Sequence, residues 1–182
     1  MNQSSVTITR VSESGISHAL SKDLDEIFFA SSATSSFASD ADKAAFRERW
    51  FWSYLSGNPE ETFIALDTFG RGVGYIVGAL DDPAQDSRYG DLAYLSRFAA
   101  LTALYPAHLH INVAAQYRSM GIGERLVDAF LAHARGRGIP GVHVVTGEGM
   151  RNVGFYSRLG FEQLAASPWN GRTVVMLARR IP

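Results

Sequence analysis

The sequence has 182 residues, 46% hydrophobic and 19% charged, the composition of one folded domain with a sizeable core and not of a disordered chain. Lysine and arginine total 17 against 18 acidic residues, and the net charge of -1 offers no broad basic face to a nucleic acid. With no cysteine, disulfides, thiolate metal sites and a cysteine nucleophile are excluded, and no apolar run approaches the ~20 residues that span a bilayer. The start, Met1-Asn2-Gln3-Ser4-Ser5, lacks the basic residues and apolar stretch of a secretion signal. The expectation is a soluble cytoplasmic protein without a metal, a membrane or a nucleic-acid partner.

Residues 6–11 alternate apolar and polar side chains and predict a first strand. Ile16, Leu20, Leu24, Ile27 and Phe28 then recur at helical spacing. Residues 30–39, rich in serine and alanine, predict a loop. From Asp40 to Leu55 the spacing of Phe46, Trp50, Phe51, Tyr54 and Leu55 predicts a second helix, ended by Gly57-Asn58-Pro59. Asp40 and Asp42 at its start are explained by capping. Residues 62–66 and 73–80 predict two strands of a hairpin, with the connection at 67–72. After a polar loop at 81–87, residues 92–104 predict a helix ended by Tyr105-Pro106.

His108-Leu109-His110-Ile111-Asn112-Val113 alternates strictly and predicts a strand. Ile122, Leu126, Val127, Phe130 and Leu131 share one face of a helix over 121–135, closed by Gly136 and Gly138. A strand at 142–145, a helix at 151–159 ending at Gly160, a short strand near 161–164 and a β-branched strand at 173–177 complete the chain. An early hairpin followed by strands alternating with helices predicts an α/β fold, a mixed sheet flanked by helices, as a single domain over residues 1–182.

Between the strand at 108–113 and the helix that follows lies Arg118-Ser119-Met120-Gly121-Ile122-Gly123. Two residues without β-carbons let the backbone turn tightly and approach a ligand. The first N–H groups of a helix lack partners within it and carry partial positive charge, a site for a pyrophosphate. Arg118 can add a charge-assisted hydrogen bond. A P-loop needs a lysine after its last glycine and a dinucleotide fingerprint a third glycine; Glu124 and Leu126 stand in those places. A glycine pair that merely shapes a strand-to-helix turn remains the alternative. Further along, Asn152 and Tyr156 are four residues apart and share one helical face, while Phe155 and Leu159 share another suited to the core.

The two segments together resemble the GCN5-related N-acetyltransferases. Gln116 to Gly123 is similar to their Gln/Arg-x-x-Gly-x-Gly/Ala motif, and Asn152-x-x-x-Tyr156-x-x-x-Gly160-Phe161 to their later Asn…Tyr…Gly-Phe motif. Tyr105-Pro106-Ala107-His108-Leu109-His110 further resembles a bacterial subgroup similar to the acetyltransferase-like C-terminal domain of eukaryotic O-GlcNAc hydrolases. The resemblance implies that fold, with acetyl-CoA as the acyl donor. Backbone groups of Ile111 and Val113 would pair with the pantetheine, and the turn formed by Arg118, Ser119, Met120, Gly121, Ile122 and Gly123 would hold the pyrophosphate. Asn152 would bond the cofactor arm, and Tyr156 would protonate the departing thiolate. A phenol with a pKa of about 10 is suited to that task at neutral pH.

The attacking amine must be neutral, and His108, His110 and Asn112 share one strand face by alternation. His110 is the candidate base there, because an imidazole titrates near neutrality. Glu148, beyond a strand end, is the candidate carboxylate. Asn112 stands where the narrower subgroup often carries an acid. The acceptor pocket is expected from the first two helices, the loop at 30–39 and Ser167-Pro168-Trp169-Asn170, with Trp50, Trp52, Tyr54 and Trp169 as possible walls. The expected partner is a small-molecule or peptide amine, with a homodimer a further possibility. A non-catalytic acyl-CoA-binding module of the same fold and a generic phosphate-binding protein are the competing readings.

Overall fold

The computed structural model describes residues 6–34 and 36–182. Met1 to Ser5, on which the reading of the amino terminus rests, and Ser35 in the expected loop lie outside the described residues. Seven strands form one mixed sheet in the order β1-β2-β3-β4-β5-β7-β6. They are β1 (Thr7–Arg10), β2 (Phe63–Leu66), β3 (Gly72–Ala79), β4 (Ala107–Val113), β5 (Gly141–Gly147), β6 (Glu162–Trp169) and β7 (Arg172–Arg180). The α-helices are α1 (Val11–Ser14), α2 (His18–Ser31), α3 (Asp40–Arg47), α4 (Ser53–Gly57), α5 (Ala93–Thr102), α6 (Ile122–Gly136) and α7 (Arg151–Arg158). The α/β mixed sheet expected from the element order is the observed fold. The chain divides into two compact units, Met1–Gly78 with His110–Phe130, and Ala79–Leu109 with Leu131–Pro182.

In the first unit β1, β2 and β3 form an antiparallel meander. Helix α2 starts where the Ser17 side chain accepts a hydrogen bond from the Leu20 N–H at 3.2 Å, and it buries the predicted stripe Leu20, Leu24, Ile27 and Phe28. Ile16 falls just before that cap. The helix expected over 40–55 is not uniform: α3 gives way to a π-helical turn, Glu48–Trp52, before α4. The wider turn shifts the angular spacing of its aromatics. Phe51 is fully buried between Phe28 and Tyr75, with ring centroids at 5.3 and 4.7 Å. Trp52 instead lies under the Arg47 guanidinium at 4.1 Å. Ser39 caps α3, accepting from the Asp42 N–H at 3.1 Å and donating to its carboxylate at 2.7 Å, which accounts for the acid at that helix start.

In the second unit β5 and β7 pair antiparallel along their lengths, and β6 pairs on the far side of β7. The strand expected near 161–164 runs on to Trp169, through Pro168; β6 ends the strand order, and an edge strand tolerates the missing N–H. Ser167, Pro168 and Trp169, expected in a pocket wall, are therefore strand residues. Arg97 Nη1 donates to the Ser167 hydroxyl at 2.9 Å and to the Pro168 carbonyl at 3.3 Å, and the Trp169 ring meets Tyr94 edge-on at 5.4 Å. Asn170 and Gly171, with φ of 47° and 72°, form the two-residue turn into β7.

β4 and β5 pair in parallel at Ala107↔Val142 and His108↔His143. The two imidazoles at that rung lie 5.7 Å apart between ring centroids, and both are buried. His143 Nδ1–H donates to the Tyr105 carbonyl at 2.6 Å. Burial lowers its pKa from 6.5 to about 4, so the folded protein holds it neutral. Below about pH 6.5 the unfolded chain gains a proton that the folded chain refuses until about pH 4. The stabilisation is complete above the upper value and is lost toward the lower, about 3 kcal/mol in all. Denaturant unfolding between pH 7 and pH 4.5 is expected to show this loss, and His143→Gln, whatever its baseline stability, a shallower pH slope. An unchanged slope in the variant contradicts the assignment.

Candidate functional site

The site begins at the end of β4. The Ala114 N–H donates to the Val73 carbonyl at 2.9 Å, and a 3₁₀ turn, Ala115–Tyr117, carries the chain away from the sheet. Gly74 makes the close approach of β3 possible, because a β-carbon there would lie 3.1 Å from the Asn112 carbonyl oxygen and 3.2 Å from Val113 Cγ2. Arg118 then turns back: its Nε donates to the Val113 carbonyl at 3.0 Å and its Nη2 to the Ser31 hydroxyl of α2 at 3.4 Å. The guanidinium expected to face a phosphate therefore also braces the strand end against the helix. Its partners lie 5 and 87 residues away in sequence, and the more distant one carries no local signal.

Beyond Arg118 the backbone alternates hand, with Ser119 at φ 62° and Gly121 at φ 75°. Left-handed residues in a turn can fold successive N–H groups into a concavity that suits an anion. Space is open at Gly121, where a β-carbon would meet nothing within 4 Å; glycine is needed for its φ and not for clearance. Helix α6 follows, with the Arg125 N–H bonded to the Gly121 carbonyl at 3.1 Å. Ile122, 2% exposed, pins the first turn to the core, while Ser119 and Met120 are exposed and Gly123 is half-buried. Ile111 and Val113 are half-buried on β4.

Asn112 Nδ2 donates to the Tyr75 hydroxyl at 2.7 Å. Burial pushes the Tyr75 phenol well up, against the smaller opposing effect of that bond. Asn112 is thus held as a neutral, oriented amide. His110 is half-buried, with the ring edges of Trp50 and Tyr54 at 6.1 and 5.3 Å between centroids. His108, on the same strand face by alternation, is instead 6% exposed and packs against Tyr89 at 5.6 Å in the second unit. Asp67, in the β2–β3 connection, collects the Phe69 and Arg71 N–H groups at 2.9 and 3.0 Å and the Arg71 guanidinium at 2.6 Å. Desolvation pulls its carboxyl upward, but those bonds outweigh it and hold the group below the usual carboxylate range.

The β5–α7 connection belongs to the second unit. Glu148 is exposed, and its N–H donates to the Thr173 carbonyl at 3.0 Å. Asn152, on the exposed first turn of α7, accepts at Oδ1 from the Thr146 hydroxyl at 3.0 Å, a partner that spacing alone did not reveal. The face of α7 expected to enter the core is the other one: Tyr156 is 4% exposed, whereas Phe155 and Leu159 are half-buried. The reason is the left-handed Gly160, φ 78°, which turns Phe161 back beneath the Tyr156 ring at 5.4 Å; Phe155 closes it from the side at 5.3 Å. Burial raises the phenol further above its ordinary value. Among the described residues no group of three or more histidines, aspartates or glutamates is arranged to hold a metal ion, and no helix is long and apolar enough to cross a membrane.

A mixed sheet whose β4 and β5 run parallel, with a strand-to-helix turn at the end of β4, is the fold of the acyl-CoA N-acyltransferases. Residues 23–161 match the model of the acetyltransferase (GNAT) family, and the chain belongs to it. Solved structures share the fold. SsHAT is similar at 23% identity and TM-score 0.72, over 98% of this chain and 99% of that one. A GNAT superfamily phosphinothricin acetyltransferase from Sinorhizobium meliloti, in complex with AcCoA, is similar at 18% identity and TM-score 0.63, over 97% and 88%. A chain of the NatC complex bound to Gag peptide and CoA is similar at 16% identity and TM-score 0.65, over 97% and 99%.

Alanine at Gly121 is expected to cost about 1–2 kcal/mol of stability through its left-handed φ alone, since the added methyl meets no neighbour. Denaturant unfolding of Gly121→Ala measures this, and a loss no larger than that of an exposed control substitution contradicts it.

Proposed function

We propose that the protein transfers an acetyl group from acetyl-CoA to a primary amine of a small molecule or peptide, the amine attacking the thioester directly. The observation that carries this reading is the alternating-hand arch from Arg118 to Gly123 at the start of α6. Its amides are preorganised for a pyrophosphate, so little ordering remains to be done on binding. Membership of the family supports acetyl-CoA as the donor. So do two structurally similar chains, one holding AcCoA and one in a complex with CoA and a peptide.

In this reading Ser119, Met120, Gly121, Ile122 and Gly123 give backbone N–H groups to the pyrophosphate, with Arg118 bracing the arch and adding positive charge. Backbone groups of Ile111 and Val113 pair with the pantetheine, and Asn152, steadied by Thr146, bonds the cofactor arm. Tyr156 donates to the thiolate as the tetrahedral intermediate collapses. Its raised pKa keeps the proton on the phenol throughout the neutral range, which is the state a donor needs. His110, half-buried on β4 beside Trp50 and Tyr54, serves as base for the ammonium of the acceptor. Glu148, solvated at the β5 end, is the second candidate for that task.

One observation favours the alternative of a binding module without turnover. Tyr156 is packed among Phe155 and Phe161 as a core aromatic. Calorimetry is expected to show acetyl-CoA binding with no comparable signal for ATP or NAD; absence of acetyl-CoA binding would sink both readings. Thiol release across an amine panel separates them. Tyr156→Phe, which keeps the packed ring, is expected to lower kcat about 100-fold or more with little change in melting temperature. An unchanged kcat removes the tyrosine from the chemistry.

A further inference from the structure

A cavity of about 380 Å³ lies in the first unit, within the roughly 300–1,000 Å³ usual for small-ligand sites. Its walls come from one face of α2, the start of β3 and the chain leaving β4. The lining reaches Arg118 and stops there: none of the residues from Ser119 to Gly123 contributes to it. It is therefore distinct from the anion arch. Asp23 and Glu26 of α2 stand on one wall, Arg71 and Arg118 on others, with Ile27 and Val73 supplying apolar surface between them.

Three of the four charged groups are already held in place. The Arg71 guanidinium is fixed by Asp67 at 2.6 Å, and the Tyr117 hydroxyl donates to that same carboxylate at 3.3 Å. Arg118 is fixed by the Val113 carbonyl and Ser31. Asp23 accepts from the Gly72 N–H at 2.9 Å, which leaves its second oxygen available. Glu26 is exposed and adjustable. A simple anion entering the cavity would meet two carboxylates, and a simple cation two guanidinium groups. A molecule carrying both charges a few bonds apart satisfies all four.

We propose that this cavity binds a small zwitterion of amino-acid size, its carboxylate toward Arg71 and Arg118 and its ammonium toward Asp23 and Glu26. Arg118 belongs to both the cavity and the brace on Val113, so the bound zwitterion changes the affinity of the arch for acetyl-CoA, and acetyl-CoA changes that of the zwitterion by the same factor.

The test is titration calorimetry of the full chain with each common amino acid, and with acetate and ethylamine as single-charge probes. At least one amino acid is expected to bind saturably where both probes do not. Glu26→Gln and Arg71→Gln are each expected to weaken it by about 10-fold, the effect of one lost charge-assisted bond. Glu26 is exposed, so its variant remains decisive if Arg71→Gln fails to fold. Saturating amino acid is expected to shift the acetyl-CoA Kd about 5-fold or more without abolishing binding. No saturable binding, equal binding of acetate, an unaffected Glu26→Gln, or an unmoved acetyl-CoA Kd overturns the proposal. Strict competition with acetyl-CoA, or acetylation of the bound amino acid, also overturns it by making the cavity part of the donor or acceptor site. Because binding is read without turnover, an inactive protein that binds the zwitterion leaves this inference standing while the catalytic reading fails.

Discussion

The carbonyl of Val113 is the point at which the strand geometry of β4 gives way to the turn that leads into α6. Its position is set from behind by β3, where a β-carbon at Gly74 would crowd the Asn112 carbonyl oxygen at 3.1 Å. It is set from in front by Arg118, which closes the loop of chain from 113 to 118 with one hydrogen bond. Only with that loop closed do Ser119 and Gly121 stand where their left-handed conformations feed the first turn of α6. The amides at the head of a helix have no carbonyl one turn back, and amides left free in this way attract an anion. Side chains then matter mainly for holding the backbone still.

The same economy runs through the polar groups of β4. Asn112 Nδ2 donates to the buried Tyr75 hydroxyl, and burial keeps that phenol protonated. His110 is framed by aromatic edges on the first unit, and His143 is pinned as a neutral imidazole in the second. Burial thus sorts the ionisable groups of the central strands. Phenols are driven to stay protonated and His143 to stay neutral, while His110 is left half-buried. An acid–base role is a matter of which groups escape burial, more than of which residue types are present.

How much of this was legible in the sequence depends on the range of the interaction. Alternation in 108–113 and the apolar stripe of α6 are local, and both elements lie where the spacing put them. The hairpin at 67–72 and the cap at Ser39 follow from short-range chemistry as well. The π-helical turn at Glu48–Trp52 was not legible, because a five-residue hydrogen-bond ring is stabilised by where Phe51 must go in the core, not by local propensity. The Asn170-Gly171 pair did carry a signal for the last hairpin, and reading it would have extended β6 to Trp169. The face of α7 was read by hydrophobicity, favouring Phe155 and Leu159. The return of the chain at Gly160 decided for Tyr156 instead. Arg118 shows the limit: residue type and place pointed to an anion, but its bonds to Val113 and Ser31 needed the fold.

On the acceptor side the aromatics expected as pocket walls have largely found other work. Trp52 is covered by Arg47, Trp169 by Tyr94, and Trp50 lies under the Arg49 guanidinium at 5.4 Å as well as beside His110. An aromatic face already carrying a guanidinium has little left to offer a second cation, since the ring quadrupole that attracts one charge is opposed by the charge already present. These rings therefore do not form a cage open to further positive charge. The turn from Arg118 to Gly123 can be read from backbone and glycines, whereas the aromatics expected as acceptor walls have roles here that are shared with packing.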